Sequence, residues 1–267
     1  MIHIAKKSLG QNFLKSEPAL RMMVESGDIQ PTDTILEIGP GKGVLTAQLL
    51  EKAGKVIAIE KDTDLVEILK ERFKEEIKNK KLEIIEGDCL EFDPHEHKLK
   101  KGNYKLIANI PYNITGAIIK RFLAEVPSPS AMILLVQKEV AERIVARGGK
   151  ESILSLSVKA YGTPHYLMKV GKRFFSPSPK VDSAIVAIIG ISRDNFEGKD
   201  DEDAFFAVVR ASFAHKRKVV RKNLEEILEK DQIAQIFSDI GIPTDARAED
   251  LSFDTFLAMS QELQKAE

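Results

Sequence analysis

Ile35-Leu36-Glu37-Ile38-Gly39-Pro40-Gly41-Lys42-Gly43 is an apolar, β-branched run that breaks into three glycines at alternate positions, and Val44 to Lys52 then carries apolar residues at helical spacing. Glycine lets a chain turn sharply and lets its backbone approach a ligand. The stretch therefore predicts a strand that turns directly into a helix beside a bound molecule. Working outward, Thr34 to Ile38, Lys55 to Ile59, Leu82 to Glu86, Tyr104 to Ala108 and Ala131 to Val136 read as strands. Val44 to Lys52, Asp62 to Lys78, Thr115 to Leu123 and Lys138 to Ala146 read as helices, with Asp62 and Thr115 as N-caps. Strands alternating with helices predict an α/β fold, a parallel sheet covered on both faces.

A further helix, about Ser152 to Ala160, precedes two runs, His165 to Phe174 and Ser183 to Ile191, with no helix between them. These two should pair antiparallel through the compact Pro177 to Pro179 connection. Beyond Ile191 the chain turns polar and acidic over Ser192 to Glu202, and the rest reads as helix or turn. The expected organisation is an α/β catalytic domain over residues 1–192 and a small all-α domain over 193–267. Phe205, Phe206 and Phe213 form a stripe expected in the core of the latter.

A chain of 267 residues, 43% hydrophobic, can bury a full core. No apolar run reaches the length of a membrane span, and the first residues lack a signal peptide's apolar segment, so no membrane partner and a cytoplasmic location are expected. A single cysteine, Cys89, excludes an internal disulfide. The net charge of -1 means that nucleic-acid binding must rest on a local basic surface. A monomer is expected, because no apolar helix face is left over in the pattern.

Glu60 ends the second strand where a carboxylate would accept hydrogen bonds from the ribose hydroxyls of an adenosine. The plainer reading has Glu60 paired with Lys61 or capping the next helix. The third strand ends in Gly87-Asp88, a second carboxylate at the same edge of the sheet, where open α/β folds bind ligands. A dinucleotide oxidoreductase would use such carboxylates too, but its third glycine falls one residue later, where pyrophosphate meets the helix N-terminus. The spacing here fits S-adenosylmethionine, which has no phosphate.

After the fourth strand comes Asn109-Ile110-Pro111-Tyr112. An aromatic amine is a poor nucleophile, because its lone pair is delocalised into the ring. Accepting the amine's hydrogens makes the nitrogen more tetrahedral. Asn109 Oδ1 and the Pro111 carbonyl could accept them, while Tyr112 stacks on the base and holds it in line. The plainer alternative is an ordinary strand-to-loop turn rich in Asn and Pro. Methylation at a pyrimidine carbon would need a cysteine near this loop, and Cys89 leaves the preceding strand. Transfer to a ribose hydroxyl would favour a lysine-centred set. His95-Glu96-His97 has no obvious third ligand in its Lys-rich loop, so no metal site is expected.

With these residues in view, the chain resembles from end to end the KsgA (RsmA) family of ribosomal RNA adenine dimethyltransferases, which has eukaryotic members. Lys7-Ser8-Leu9-Gly10-Gln11-Asn12-Phe13-Leu14 looks like the family's N-terminal signature, Glu37 to Gly43 like its cofactor motif and Asn109 to Tyr112 like its catalytic motif. Phe174 to Ser183 matches its loop before the last strand. Ile110 stands where many members have leucine, a departure in a side chain that does not hydrogen-bond.

The resemblance implies a Rossmann-like seven-stranded methyltransferase sheet with a helical C-terminal domain. It implies that Asn12, Leu14, Gly39, Gly41, Glu60, Asp88 and Asn109 bind S-adenosylmethionine, and that Phe175 covers the target adenine opposite Tyr112. The implied reaction is transfer of two methyl groups to N6 of each of two adjacent adenosines near the 3′ end of small-subunit ribosomal RNA, in ribosome biogenesis. The partner would be that RNA within the small subunit. The erythromycin-resistance methyltransferases, which modify a large-subunit adenosine, share most of these motifs. The run Phe213 to Leu224, with Lys216, Arg217, Lys218, Arg221 and Lys222, resembles the dimethyltransferase tail and is the expected RNA-contacting surface. The bland reading of such a charge run is a solvated helix face. Lys6, Lys7 and Lys15 could add a second basic patch, and an unpaired or flipped adenosine could then reach the cleft. A non-catalytic RNA-binding assembly factor on the same fold is the remaining alternative.

Overall fold

The computed structural model describes Ala5, Lys6 and residues 9–265. Lys7 and Ser8, which the N-terminal motif and the basic arm include, lie outside the described residues. Contacts divide the chain into two units, Met1–Ala141 with Gly162–Ser192, and Glu142–Tyr161 with Arg193–Glu267.

Among the described residues the first unit holds nine strands: β1 (Phe13–Leu14), β2 (Thr34–Ile38), β3 (Lys55–Glu60), β4 (Leu82–Glu86), β5 (Tyr104–Asn109), β6 (Ala131–Gln137), β7 (Thr163–Val170), β8 (Phe175–Ser176) and β9 (Ser183–Ile189). Seven of them form one sheet in the order β4-β3-β2-β5-β6-β9-β7. The first five in that order are parallel, and β9 runs antiparallel to both of its neighbours. This is the expected seven-stranded methyltransferase sheet. Its central strands read as unbroken apolar runs because helices cover both faces. Ile35, Leu36, Val56, Ile57, Leu106, Ile107, Ile133 and Leu134 are accordingly fully buried. The antiparallel pairing of the last two long strands is as expected, although β7 ends at Val170. Phe174 N–H donates to the Gly171 carbonyl and closes a tight turn over Lys172–Phe174 where the strand was expected to continue.

Three further differences have local causes. The helix expected over Asp62 to Lys78 divides into Thr63–Arg72 and Lys74–Lys78, because Phe73 leaves helical geometry (φ −114°, ψ 35°) to bury its ring beside Gly43. Asp62 caps the first piece, accepting from the Asp64 N–H. Thr115 is the first residue of the helix Thr115–Lys120 rather than its cap, and the chain continues as a π turn over Arg121–Glu125. β1 and β8 form a separate antiparallel ribbon, with Phe13 opposite Ser176 and Leu14 opposite Phe175.

The second unit contains the helices Ile153–Lys159, Lys199–Ser212, Val220–Leu224, Lys230–Ile240 and Phe253–Lys265. Phe205 and Phe256 are fully buried in it. Phe206 meets Phe205 edge-on at 5.2 Å, and Phe213 stacks on Phe256 at 5.9 Å, so the phenylalanine stripe serves the packing of this unit. Among the described residues no helix is long and apolar enough to cross a membrane.

Candidate active site

The site lies where β2, β3 and β5 end and where the segment after β4 leaves the sheet. Gly39, Gly41 and Gly43 all have positive φ (65°, 60° and 76°), which lets the chain reverse out of β2 into the helix Val44–Lys52. At Gly43 the requirement is also one of space, since a Cβ there would stand 2.5 Å from Phe73 Cε2. At Gly39 a Cβ would stand 3.9 Å from both the Asn109 carbonyl oxygen and Pro111 Cδ, so its absence keeps open the gap between the glycine turn and the loop after β5.

One cleft of about 370 Å³ gathers the predicted residues. It is lined by Asn12, Leu14, Gly39, Gly41, Glu60, Asp88, Asn109, Pro111 and Tyr112, within the size range of small-molecule sites. Glu60, the last residue of β3, is 6% exposed. Its carboxylate accepts from the Gly41 N–H and the Asp62 N–H, each at 3.0 Å. Burial raises its pKa, and those N–H groups oppose the shift. Lys61 instead pairs with Asp88 at 2.7 Å, and this holds the Asp88 carboxyl below its ordinary value together with the Leu90 N–H at 2.9 Å.

Asn109 ends β5 and its Nδ2 donates to the Asn12 carbonyl at 3.2 Å. The arm thus fixes which end of the carboxamide faces where, and leaves Oδ1 as the acceptor. Pro111 directs its carbonyl to two long local donors, Ile114 N–H at 3.3 Å and Thr115 Oγ1 at 3.4 Å. Tyr112 is half-buried, with its hydroxyl 2.5 Å from Ser183 Oγ at the start of β9; burial raises its pKa and the Ser183 contact opposes this. Phe175 is not brought to the cleft. It is 4% exposed and belongs to the apolar cluster that also holds Leu14, Leu20, Ile133 and Ile185, because the ribbon sets it opposite Leu14.

Gln11, Phe13 and Glu37, named in the sequence only as members of longer motifs, also line the cleft. Phe13 lines it under the Lys42 ammonium, which lies 5.0 Å from the ring centroid. Gln11 donates to Asp62 at 2.7 Å, and Lys6 pairs with Asp62 at 2.5 Å and Asp64 at 2.7 Å, so the arm is fastened beside Glu60. Glu37 is 1% exposed, and burial together with the nearby Glu60 charge pushes its pKa up to about 8, against the Thr46 hydroxyl. Its signal was in the sequence, as the one charged residue inside an otherwise apolar central strand. Cys89 also lines the cleft, but burial raises its thiol to about 12, which keeps it protonated.

In the helical unit, Lys216, Arg217 and Lys218 are exposed in the turn between Lys199–Ser212 and Val220–Leu224. Asn223 secures this turn by donating to the Ser212 and His215 carbonyls. Arg221 and Lys222 are exposed on the short helix that follows, with Lys222 paired to Glu225 at 3.0 Å. His97 Nδ1 lies 2.6 Å from Glu83 Oε1, and its ring stacks on Phe92 at 4.9 Å.

Comparison with known proteins gives a consistent result. The family described as "Ribosomal RNA adenine dimethylase" matches residues 2–265. Ribosomal RNA small subunit methyltransferase A of Dehalococcoides mccartyi (strain BAV1) is 41% identical over 252 residues, 94% of this chain and 85% of that one. The protein of the same name from Fusobacterium nucleatum is 39% identical over 257 residues, 95% of this chain and 96% of that one. Among solved structures, a dimethyladenosine transferase from Plasmodium falciparum is similar with a TM-score of 0.80 at 26% identity, over 95% of this chain and 98% of that one. The 23S rRNA methyltransferase ErmE shares the fold with a TM-score of 0.79 at 24% identity, over 95% of this chain and all of that one.

Proposed function

The chain belongs to the ribosomal RNA adenine dimethylase family, and from that premise we propose that it dimethylates N6 of two adjacent adenosines near the 3′ end of small-subunit ribosomal RNA. It is an enzyme, a methyltransferase whose methyl donor is S-adenosylmethionine. The observation that carries the reading is the convergence of Asn109, Pro111 and Tyr112 on the same cleft as Glu60 and the glycine turn.

The residues present suit the donor. Glu60 would accept from the ribose hydroxyls, the space beside Gly39 would receive the amino-acid portion, and Asn12, Leu14, Gly41 and Asp88 would complete the walls. The donor supplies an electrophilic methyl group on sulfonium. The chain's own part is to bind and orient. Asn109 Oδ1 and the Pro111 carbonyl accept hydrogen bonds from the adenine amine, which has two hydrogens for the first transfer and one for the second, so that the nitrogen lone pair is freed as nucleophile; one proton leaves the nitrogen for solvent at each transfer. Tyr112 stacks on the base and holds it in line. Phe175 would cover the other face of the adenine only by turning out of the cluster that buries it. Lys216, Arg217, Lys218, Arg221 and Lys222 would contact RNA phosphates, with affinity that falls as salt rises. The enzyme acts in the cytoplasm as a monomer in this reading.

The test is methyl transfer from labelled S-adenosylmethionine to undermethylated small and large ribosomal subunits, followed by digestion to nucleosides, with Asn109→Ala as control. Dimethyladenosine from the small subunit, reduced by roughly 100-fold or more in the variant, is the expected result. Label in the large subunit alone would transfer the assignment to the erythromycin-resistance type. No label in either would leave the RNA-binding assembly factor.

A further inference from the structure

Phe174 and Phe175 are neighbours in sequence with opposite fates. Phe175 is in the core, whereas Phe174 is 37% exposed. A single exposed aromatic ring on a soluble protein needs no explanation by itself, but this one is held and furnished. Its N–H donates to the Gly171 carbonyl at 3.0 Å, and its carbonyl accepts from the Lys15 N–H at 2.8 Å. The turn and the N-terminal arm therefore fix its position from two sides. The Arg173 guanidinium lies over the ring, 5.0 Å from the centroid. Lys15, Lys172 and Arg173 all have exposed side chains, and Lys15 also lines the methyl-transfer cleft, as does Ser176 two residues further on. The carboxylate of the same loop, Asp182, is already engaged by the Lys172 N–H at 3.0 Å and the Lys169 ammonium at 2.9 Å.

An exposed ring with a guanidinium over it, on a loop with further exposed cations and beside residues that line the cleft, matches the chemistry of an unpaired nucleotide. Bases stack on aromatic and guanidinium planes, and the phosphates between them seek Lys and Arg. We propose that Phe174 is a stacking platform for a nucleobase adjacent to the target adenosine, with Arg173 sharing the stack and Lys15 receiving the intervening phosphate. This rests on the RNA-methyltransferase reading above. It adds to that reading a second base site on the catalytic unit, distinct from the basic run of the helical unit. Because aromatic stacking tolerates any base, the platform would set the reach and posture of the strand rather than its sequence.

The test uses the full-length protein and short single-stranded RNA carrying one 2-aminopurine, whose fluorescence is quenched when the base stacks. Wild type should quench the probe on binding, Phe174→Ala should bind roughly tenfold more weakly and lose the quench, and Phe174→Trp should restore both. Arg173→Ala should weaken binding and flatten its salt dependence. Equal affinity of S-adenosylhomocysteine for wild type and Phe174→Ala checks that the cleft is intact. No quench with wild type, or the same quench and affinity with Phe174→Ala, overturns the proposal. The readout does not depend on methyl transfer. Failure of the subunit methylation assay with a Phe174-dependent quench would therefore count against the proposed reaction and not against the platform.

Discussion

The Gly41 backbone N–H donates to Oε2 of Glu60 across 3.0 Å, joining the turn after β2 to the end of β3. The other oxygen of the same carboxylate accepts from the Asp62 N–H, and the Asp62 side chain in turn receives Lys6 and Gln11 from the arm. Glue of this kind makes the glycine turn, the acidic strand end and the arm a single preorganised wall.

Replacing Glu60 by Gln keeps the size but removes the charge that accepts several donors at once. Affinity for S-adenosylhomocysteine should fall by about 10- to 100-fold, the usual worth of hydrogen bonds to a charged group. Titration calorimetry checks this, and a change below threefold would remove Glu60 from the donor site.

Glu37 gives the fold a pH dependence of definite sign. Its carboxyl has a folded pKa of about 8 against an ordinary value of 4.5. Between those values the folded protein holds a proton that the unfolded chain has released. Stability is then lost as pH rises from about 4.5 to about 8, and the loss levels off above that. Glu37→Gln, neutral throughout, should show a flatter profile and exceed wild type at pH 8 by on the order of a few kcal/mol. Denaturant unfolding of the ligand-free proteins at pH 6 and pH 8.5 is the measurement, and parallel profiles would contradict the assignment.

Gly43→Ala should destabilise by about 2 kcal/mol, because the added Cβ meets Phe73 at 2.5 Å and Leu69 at 2.8 Å on a backbone with φ 76°. Its melting temperature should drop by several degrees. Phe73→Leu in the same background should recover part of the loss, whereas a fixed backbone penalty alone would show no coupling between the two changes.

Tyr112 separates stacking from hydroxyl chemistry. Its hydroxyl contacts Ser183, so Tyr112→Phe should keep methyl transfer within about threefold if, as proposed, the ring positions the base. Tyr112→Ala should lower kcat/KM by roughly 10- to 100-fold through loss of the stack. Steady-state kinetics on undermethylated small subunits reads both, and a Phe variant as slow as the Ala variant would make the hydroxyl the working group.

What the sequence disclosed followed from periodicity and punctuation. The central parallel strands were legible because burial on both faces leaves largely apolar runs, and the glycines of the turn because glycine adopts φ above zero without the cost a side chain would bring. Asn12 and Leu14 reached the reading through resemblance alone, since the two-residue ribbon that brings them to the cleft is too short to have a period. The same ribbon explains Phe175, whose inward direction is set by Leu14 across the pairing and not by anything in its own neighbourhood. Phe73, read as one more apolar position in a long helix, breaks that helix because the space beside Gly43 is filled from outside it.

The ribbon between Phe13–Leu14 and Phe175–Ser176 also bears on how the protein is made. Asn12 and Phe13 leave the ribosome early, but the strand that seats them is synthesised more than halfway along the chain. Helices and neighbouring parallel strands can form as they emerge, whereas this closure must wait for its distant partner. A nascent chain that stops short of Phe175 lacks the pairing that positions the Asn12 carbonyl against Asn109. Competence to hold the methyl donor is thus expected late in translation, and binding of S-adenosylhomocysteine by chains arrested at successive lengths would register the moment at which the catalytic unit is complete.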